Sequence, residues 1–282
     1  MSDARLFLGD LQTWEGIAIK KTICLVVLFF LGSHLLCGAV EVPAGIRNDG
    51  YERLLQKYVN GQGLVAYEKW KNNPGDVKAL DDYLAQFAAS GNPAKGNERH
   101  ASLVNAYNGL VLQWILRNYP TESIWTLKGS FKARRHKLGG EMVSLNDIED
   151  GALRPEFGHR AHALLVCAAR SCPPLQQSVY TAGTFEDQVA RAYRTWLARP
   201  DLNEFLIGQN TADISQIFKW FKGDFDKAGG VKAILARYAP VVVRPMLAKA
   251  DLKITYKHYD WGLNDQGQHG RNYKINIFDF LH

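Results

Sequence analysis

Several things are scarce or missing in these 282 residues, and each absence removes a class of function. Only four cysteines occur, none in a Cys-x-x-Cys pair, and there is no His-Glu-x-x-His. His159 and His162 are three apart, a helical spacing, but in a stretch that reads as loop and strand, so no metal set stands out and no cofactor is expected. A glycine-rich phosphate loop and a Gly-x-Ser-x-Gly elbow are both missing, which argues against nucleotide enzymes and ordinary esterases. No internal repeat, low-complexity tract or convincing linker divides the chain. No apolar run reaches the ~20 residues of a membrane-spanning helix.

What is present begins near the N-terminus. Lys20 and Lys21 precede an uncharged apolar run, Thr22 to Leu36, followed by the small residues Gly38 and Ala39. That order of charge, short apolar core and small residues is a secretory signal, with cleavage expected after Ala39. An uncleaved anchor helix is the alternative, and lipidation of Cys37 a third, disfavoured by His34-Leu35-Leu36 before it. Residues 1–19, long and of mixed charge, read as the product of an upstream start codon rather than as structure. The segment 1–39 carries Arg5, Lys20 and Lys21 against Asp3, Asp10 and Glu15, so its removal leaves the net charge at +6. The expected location is periplasmic or secreted. The partners open to such a chain are an anionic envelope polymer or a peptide substrate, with no nucleic acid and no membrane contact beyond the signal segment. Export also removes Cys24 and Cys37, leaving Cys167 and Cys172 where disulfides form.

Hydrophobic content of 46% and seven tryptophans supply a packed core, so disorder is excluded. Helical spacing marks Tyr51–Val59 and the stretch after Asp76, which follows Pro74-Gly75 as a cap. The strongest helix is Glu98–Tyr119, whose broad apolar face places it at the centre of the domain and which Pro120 ends. Gly139-Gly140 predicts a turn, with Met142–Leu145 a short strand. Ser144 caps a short helix through Ile148, with Gly151 as its stop. His162–Cys167 reads as a buried strand, and Thr184 opens an amphipathic helix burying Phe185, Val189, Ala192, Tyr193, Trp196 and Leu197. Glu204–Ile207 and Lys253–Tyr259 read as strands, Ile214–Phe221 and Val231–Tyr238 as helices. Long helices with a few scattered strands predict a helix-rich α+β domain, residues 40–265, in which a central helix packs on a small, mainly antiparallel sheet. Residues 266–282 read as a tail.

Several motifs in one order carry a resemblance. SLNDIEDGALRP and HALLVCAARSCPPL lie between Ser144 and Leu175. NAYNGL stands at 105–110, YPTESIW at 119–125, ISQIFKWFKGDF at 214–225 and YDWGLN at 259–264. Together, over about residues 50–265, they resemble domain-of-unknown-function family 547, a largely uncharacterised family of bacteria and plants. A distant likeness to papain- and transglutaminase-like folds goes with it, as fold-level analogy only. Transglutaminase-like enzymes set a nucleophilic cysteine at the start of a central helix, and around Ser102–Asn108 this chain has none.

The remaining cysteines admit three readings: a Cys167–Cys172 disulfide across the AARS turn, two inert buried thiols, or a reactive Cys172 beside Arg170. His162 is the obvious base. Along a straight strand it lies about 16 Å from Cys167, so it reaches Cys172 only if the loop folds back. Its bland role is a histidine hydrogen-bonded to backbone, and His100 and His258 stay open as bases. Glu149 belongs either to a solvated acidic face with Asp147 and Asp150 or, turned inward, orients His162 as a triad's third member or acts as an acid itself. Asn105 and Asn108 share a helix face and either line a cleft or tie down loops. Lys132, Arg134, Arg135, His136 and Lys137 read as a solvated hairpin or as an adhesive patch for anionic surfaces.

Two functions follow. In one the chain is an exported thiol hydrolase, peptidase- or amidase-like, acting on peptide or cell-envelope amides with Cys172 as nucleophile, His162 as base and Glu149 orienting it. Asn105, Asn108 and Arg170 then line the binding cleft. In the other it is a non-catalytic envelope binding or assembly module stapled by a Cys167–Cys172 disulfide.

Overall fold

The computed structural model describes residues 40–274. The expected signal segment and the end of the tail, 275–282, lie outside the described residues.

Helix α1 (Asp49–Tyr58) buries Tyr51, Leu54, Leu55 and Tyr58, the apolar positions its spacing marks. Helix α2 (Pro74–Ala85) starts earlier than expected. Asn73, not Asp76, is its cap, accepting the Asp76 N–H at 3.2 Å, because Pro74 suits the first helical position, where no N–H is needed. The Asp76 carboxylate instead receives Lys57 and the Tyr58 hydroxyl, each at 2.5 Å. Helix α3 (Gly96–Asn118) runs through the core. From Ala101 to Leu112 every residue is buried, including Ser102, Asn105 and Asn108, so this helix is enclosed on all sides and not on one face alone. Its neighbours include α2 and the helical segments 145–153 and 182–184.

Strands β1 (His136–Leu138) and β2 (Glu141–Val143) form an antiparallel hairpin across Gly139-Gly140. Both glycines have positive φ, 56° and 90°, which a two-residue hairpin turn requires. The basic run does not form a uniformly solvated face. Arg135 lies 3.8 Å over the Trp114 ring, His136 is buried, and Arg134 pairs with Asp147 at 2.9 Å.

Ser144 and Asp147 complete a reciprocal capping box. The helix they start does not end at Gly151. Leu145–Ile148 passes into a π-helical turn, Glu149–Leu153, then into Arg154–Phe157, and Gly158 at φ +56° ends it. Pro155 has no N–H for the Gly151 carbonyl, so the regular ladder would be broken there in any case.

The segment 162–167 is not a strand. Residues Gly158–Ala163 form a 3-10 helix and the chain then runs irregularly. Asn108 supplies the reason: its side chain donates to Leu164 O and accepts from Val166 N–H, both at 2.9 Å. The backbone groups a neighbouring strand would pair are thus satisfied by one amide.

Helix α4 (Phe185–Leu197) buries the six residues expected of it. Strands β3 (Glu204–Leu206) and β4 (Thr211–Ile214) are antiparallel, and β5 (Lys253–Tyr256) joins β4 in parallel. Ile214 therefore belongs to a strand, and the helical turn expected from it begins only at Ile217 and ends at Trp220. A further turn, Lys222–Asp226, precedes α5 (Val231–Tyr238). The architecture is helix-rich α+β, with one small antiparallel and one mixed sheet. Beyond residue 265 the chain remains tied to this body: Gln266 N–H donates to Val65 O, and His269 pairs with Glu122 at 2.7 Å. Among the described residues no helix is long and apolar enough to cross a membrane.

Candidate functional site

A cavity of about 330 Å³ opens beside α3. Cys172, His162 and Glu149, spread over one 24-residue stretch, all line it. Its walls are aromatic: Trp220 stacks on Trp261 at 5.6 Å and 15°, Tyr259 packs against Trp261 at 4.4 Å, and Trp125 meets Trp261 edge-on at 5.1 Å. Trp220 remains 46% exposed, a large apolar ring at the rim.

Cys172 is not a free thiol. It is bonded to Cys167, with Cα atoms 6.3 Å apart, so of the three readings of the cysteines the structure adopts the disulfide. The intervening turn is made by Ala168 at φ +61° and is held by the 260–264 segment. Arg170 N–H donates to Gly262 O at 2.8 Å, Ser171 N–H to Asp260 O at 3.1 Å, and Asn264 N–H to Ala168 O at 2.9 Å. Arg170 does not polarise Cys172. Its guanidinium donates to the Asp265 and His269 carbonyls and so anchors the C-terminal segment.

Glu149 does not orient His162. The π turn points its carboxyl inward, where Tyr107 donates to Oε2 at 2.9 Å. Burial pushes this carboxyl up to about 7, the Tyr107 hydrogen bond offsetting part of the rise. The group that faces His162 is Asp224, at 2.9 Å from Nε2, a residue the sequence reading did not single out. Asp224 also receives Arg154 at 2.9 Å, and Arg154 reaches Asp150. His162 stacks on Phe221 at 4.1 Å, and the Arg154 guanidinium lies 4.6 Å over the same ring. Burial lowers His162 to about 4, only partly offset by Asp224, so the ring is neutral at pH 7. Burial alone would raise Asp224, but hydrogen bonds from Arg154 and His162 outweigh it and hold the carboxylate ionised. An ionised carboxylate only accepts, so His162 Nε2 carries the hydrogen. Asp224 lies in the KGDF of the ISQIFKWFKGDF motif, a signal that was available but gave no hint of a partner 62 residues away.

Asn105 and Asn108 tie down loops and do not line the cavity. Asn105 exchanges two hydrogen bonds with the Tyr180 backbone, donating at 2.8 Å and accepting at 2.9 Å, and Asn108 holds 164–166. His100 and His258 are also outside the lining, His100 facing Glu156 at 3.3 Å. No group of three or more metal-type side chains stands together among the described residues.

Residues 92–197 match the model of the family described as "Protein of unknown function, DUF547". The match covers α3, the hairpin, the π turn, Glu149, His162, both cysteines and α4, and it bears out the resemblance carried by the NAYNGL, SLNDIEDGALRP and HALLVCAARSCPPL motifs. Asp224, Trp220 and Tyr259 lie beyond it. No curated protein and no solved structure matches the chain.

Proposed function

We propose that this chain, whose residues 92–197 carry the DUF547 pattern, is an exported binding module that takes a ring-bearing or peptide ligand of the cell envelope in the aromatic cleft. One observation carries this reading: the cleft is walled by stacked tryptophans while the cysteine that would attack a substrate is committed to a disulfide. Aromatic walls with a few inward polar groups are the usual make-up of a ligand site. The Lys20–Ala39 signal pattern and the bridge are consistent with one another, since disulfides persist in oxidising compartments.

The test has two parts. Alkylation and mass spectrometry of the non-reduced, exported chain should find Cys167 and Cys172 unmodified and linked. Titration with soluble envelope peptides and glycan fragments should then change tryptophan fluorescence, an effect lost in Trp220→Ala. Free, fast-labelling Cys172 or no response to any envelope fraction would refute the proposal.

One observation favours thiol hydrolysis as a second reading: His162, oriented by Asp224, lines the same cavity as Cys172. Reduction of the bridge would put a thiol and an imidazole on one cavity, with Asp224 bonded to the imidazole in the orienting place expected of Glu149. Against it, an imidazole held near 4 is a poor base at neutral pH. Amide hydrolysis that appears only after reduction and vanishes in His162→Gln would favour this reading over the first.

A further inference from the structure

The bridge in the cleft wall is itself chemically asymmetric. Both cysteines line the cavity, but Cys167 is half-buried whereas Cys172 is only 4% exposed. Their hydrogen-bond surroundings differ as well. Cys172 Sγ accepts the Cys167 backbone N–H at 3.1 Å and the Tyr259 hydroxyl at 3.3 Å. The same hydroxyl lies 3.5 Å from Cys167 Sγ, a weaker contact. A sulfur in a disulfide has no hydrogen to give, so Tyr259 is the donor in both contacts. Burial, and then the charges of Glu149 and Asp260, keep that phenol protonated well beyond the usual tyrosine range, so it remains a donor at neutral pH.

Donors that meet a sulfur stabilise it as thiolate, and exchange is faster when the leaving sulfur is the better-stabilised thiolate and the attacked sulfur is the accessible one. Both criteria select the same direction. We propose that Cys167–Cys172 is an exchange site for thiol-bearing ligands entering the aromatic cleft, with Cys167 as the attacked sulfur and Cys172 as the leaving one. The proposal rests on the cleft being a ligand site. A ligand thiolate forms a new S–S bond to Cys167 Sγ. The Cys167–Cys172 bond breaks, and its electron pair stays on Cys172 Sγ, facing Tyr259 and the Cys167 N–H. Return attack by Cys172 restores the bridge and releases the ligand thiolate. Attack by a second ligand thiolate on the bound ligand sulfur instead releases the ligand disulfide and leaves Cys167 and Cys172 reduced.

The experiment treats the folded, bridged chain with 2-mercaptoethanol in one arm and a cysteine-containing aromatic tetrapeptide in the other. Samples are quenched in acid, unfolded, alkylated with N-ethylmaleimide and mapped by mass spectrometry. The expected single adducts carry the thiol on Cys167 and the maleimide on Cys172. Tyr259→Phe, checked for an intact bridge and unchanged melting, should react about tenfold more slowly in both arms, the effect of about one hydrogen bond. Adducts shared equally, adducts on Cys172, or reaction only in denaturant would overturn the proposal, as would an unchanged rate in Tyr259→Phe. Trp220→Ala separates the two readings: because the ring also packs on Tyr259 at 4.7 Å, both arms are compared in the variant, and the peptide arm should slow several-fold more than the 2-mercaptoethanol arm. If both arms change alike, the cleft is not the ligand site, even though the sulfur asymmetry stands.

Discussion

Tyr107 on the central helix donates its phenolic hydrogen to Glu149 across 2.9 Å, joining two residues forty-two positions apart at the edge of the aromatic cleft. The bond matters because partial burial in the cavity wall pushes the Glu149 carboxyl up to about 7 from its ordinary 4.5. A short walk along the same cavity wall, burial moves His162 in the opposite sense, from 6.5 to about 4. The two shifts have opposite consequences for stability.

For Glu149, the folded state holds a proton between about pH 4.5 and 7 that the unfolded state releases. Its contribution is therefore fully present below pH 4.5 and is lost as pH rises to 7, by about 3 kcal/mol. Glu149→Gln cannot titrate there. Its stability relative to the parent should rise between pH 4.5 and 7, read as the difference between two denaturant melts at each pH.

For His162, the unfolded state takes up a proton between pH 6.5 and about 4 that the folded state refuses. Its contribution is present above 6.5 and is lost as pH falls to 4, again by about 3 kcal/mol. His162→Gln should be less acid-sensitive than the parent over that window. In the parent chain the two slopes oppose one another, so each variant should reveal the titration of the other group. Parallel pH profiles for all three chains would contradict this account.

Asn108→Ala leaves the Leu164 carbonyl and the Val166 N–H without a partner in the core. Each orphaned group costs about 1–3 kcal/mol, so a loss of at least 2 kcal/mol is expected in urea denaturation. Because 164–166 leads into Cys167, the bridge of this variant should also reduce faster under mild thiol.

Replacing both cysteines by serine removes a cross-link closing a short loop. The chain-entropy estimate for so short a loop is about 2 kcal/mol, which thermal melting of the double variant should show. The turn is held independently by Gly262, Asp260 and Asn264, so the fold should survive and the cleft should keep its ligand response.

Trp220→Ala should lose ligand-induced fluorescence change while costing only about 1–2 kcal/mol in melting, since the ring is 46% exposed and its covered face rests on Trp261 and Tyr259. A large loss of stability would instead make Trp220 a core residue.

Much of the helical framework was legible in the residue pattern. The inward faces of α1 and α4, the central place of α3, the Ser144 cap and the Gly139-Gly140 turn follow from spacing and local backbone preference, which act over a few residues. Local preference also misled. The apolar run His162–Cys167 looks like a strand because nothing within it reveals that Asn108, more than fifty residues earlier, takes its backbone hydrogen bonds. The site divides in the same way. Cys167, Cys172, His162 and Glu149 were identifiable by residue type and motif. Which of them act together depends on contacts between distant segments. Asp224 rather than Glu149 faces His162, and the 260–264 segment folds the AARS turn so that the two sulfurs meet. The sequence by itself determined the helices, their buried faces and the inventory of reactive side chains, because those depend on neighbours along the chain. Only the tertiary structure decided the disulfide, the pairing of each acid and the aromatic cleft, because burial and hydrogen bonding across the core assign each group its partner and its proton.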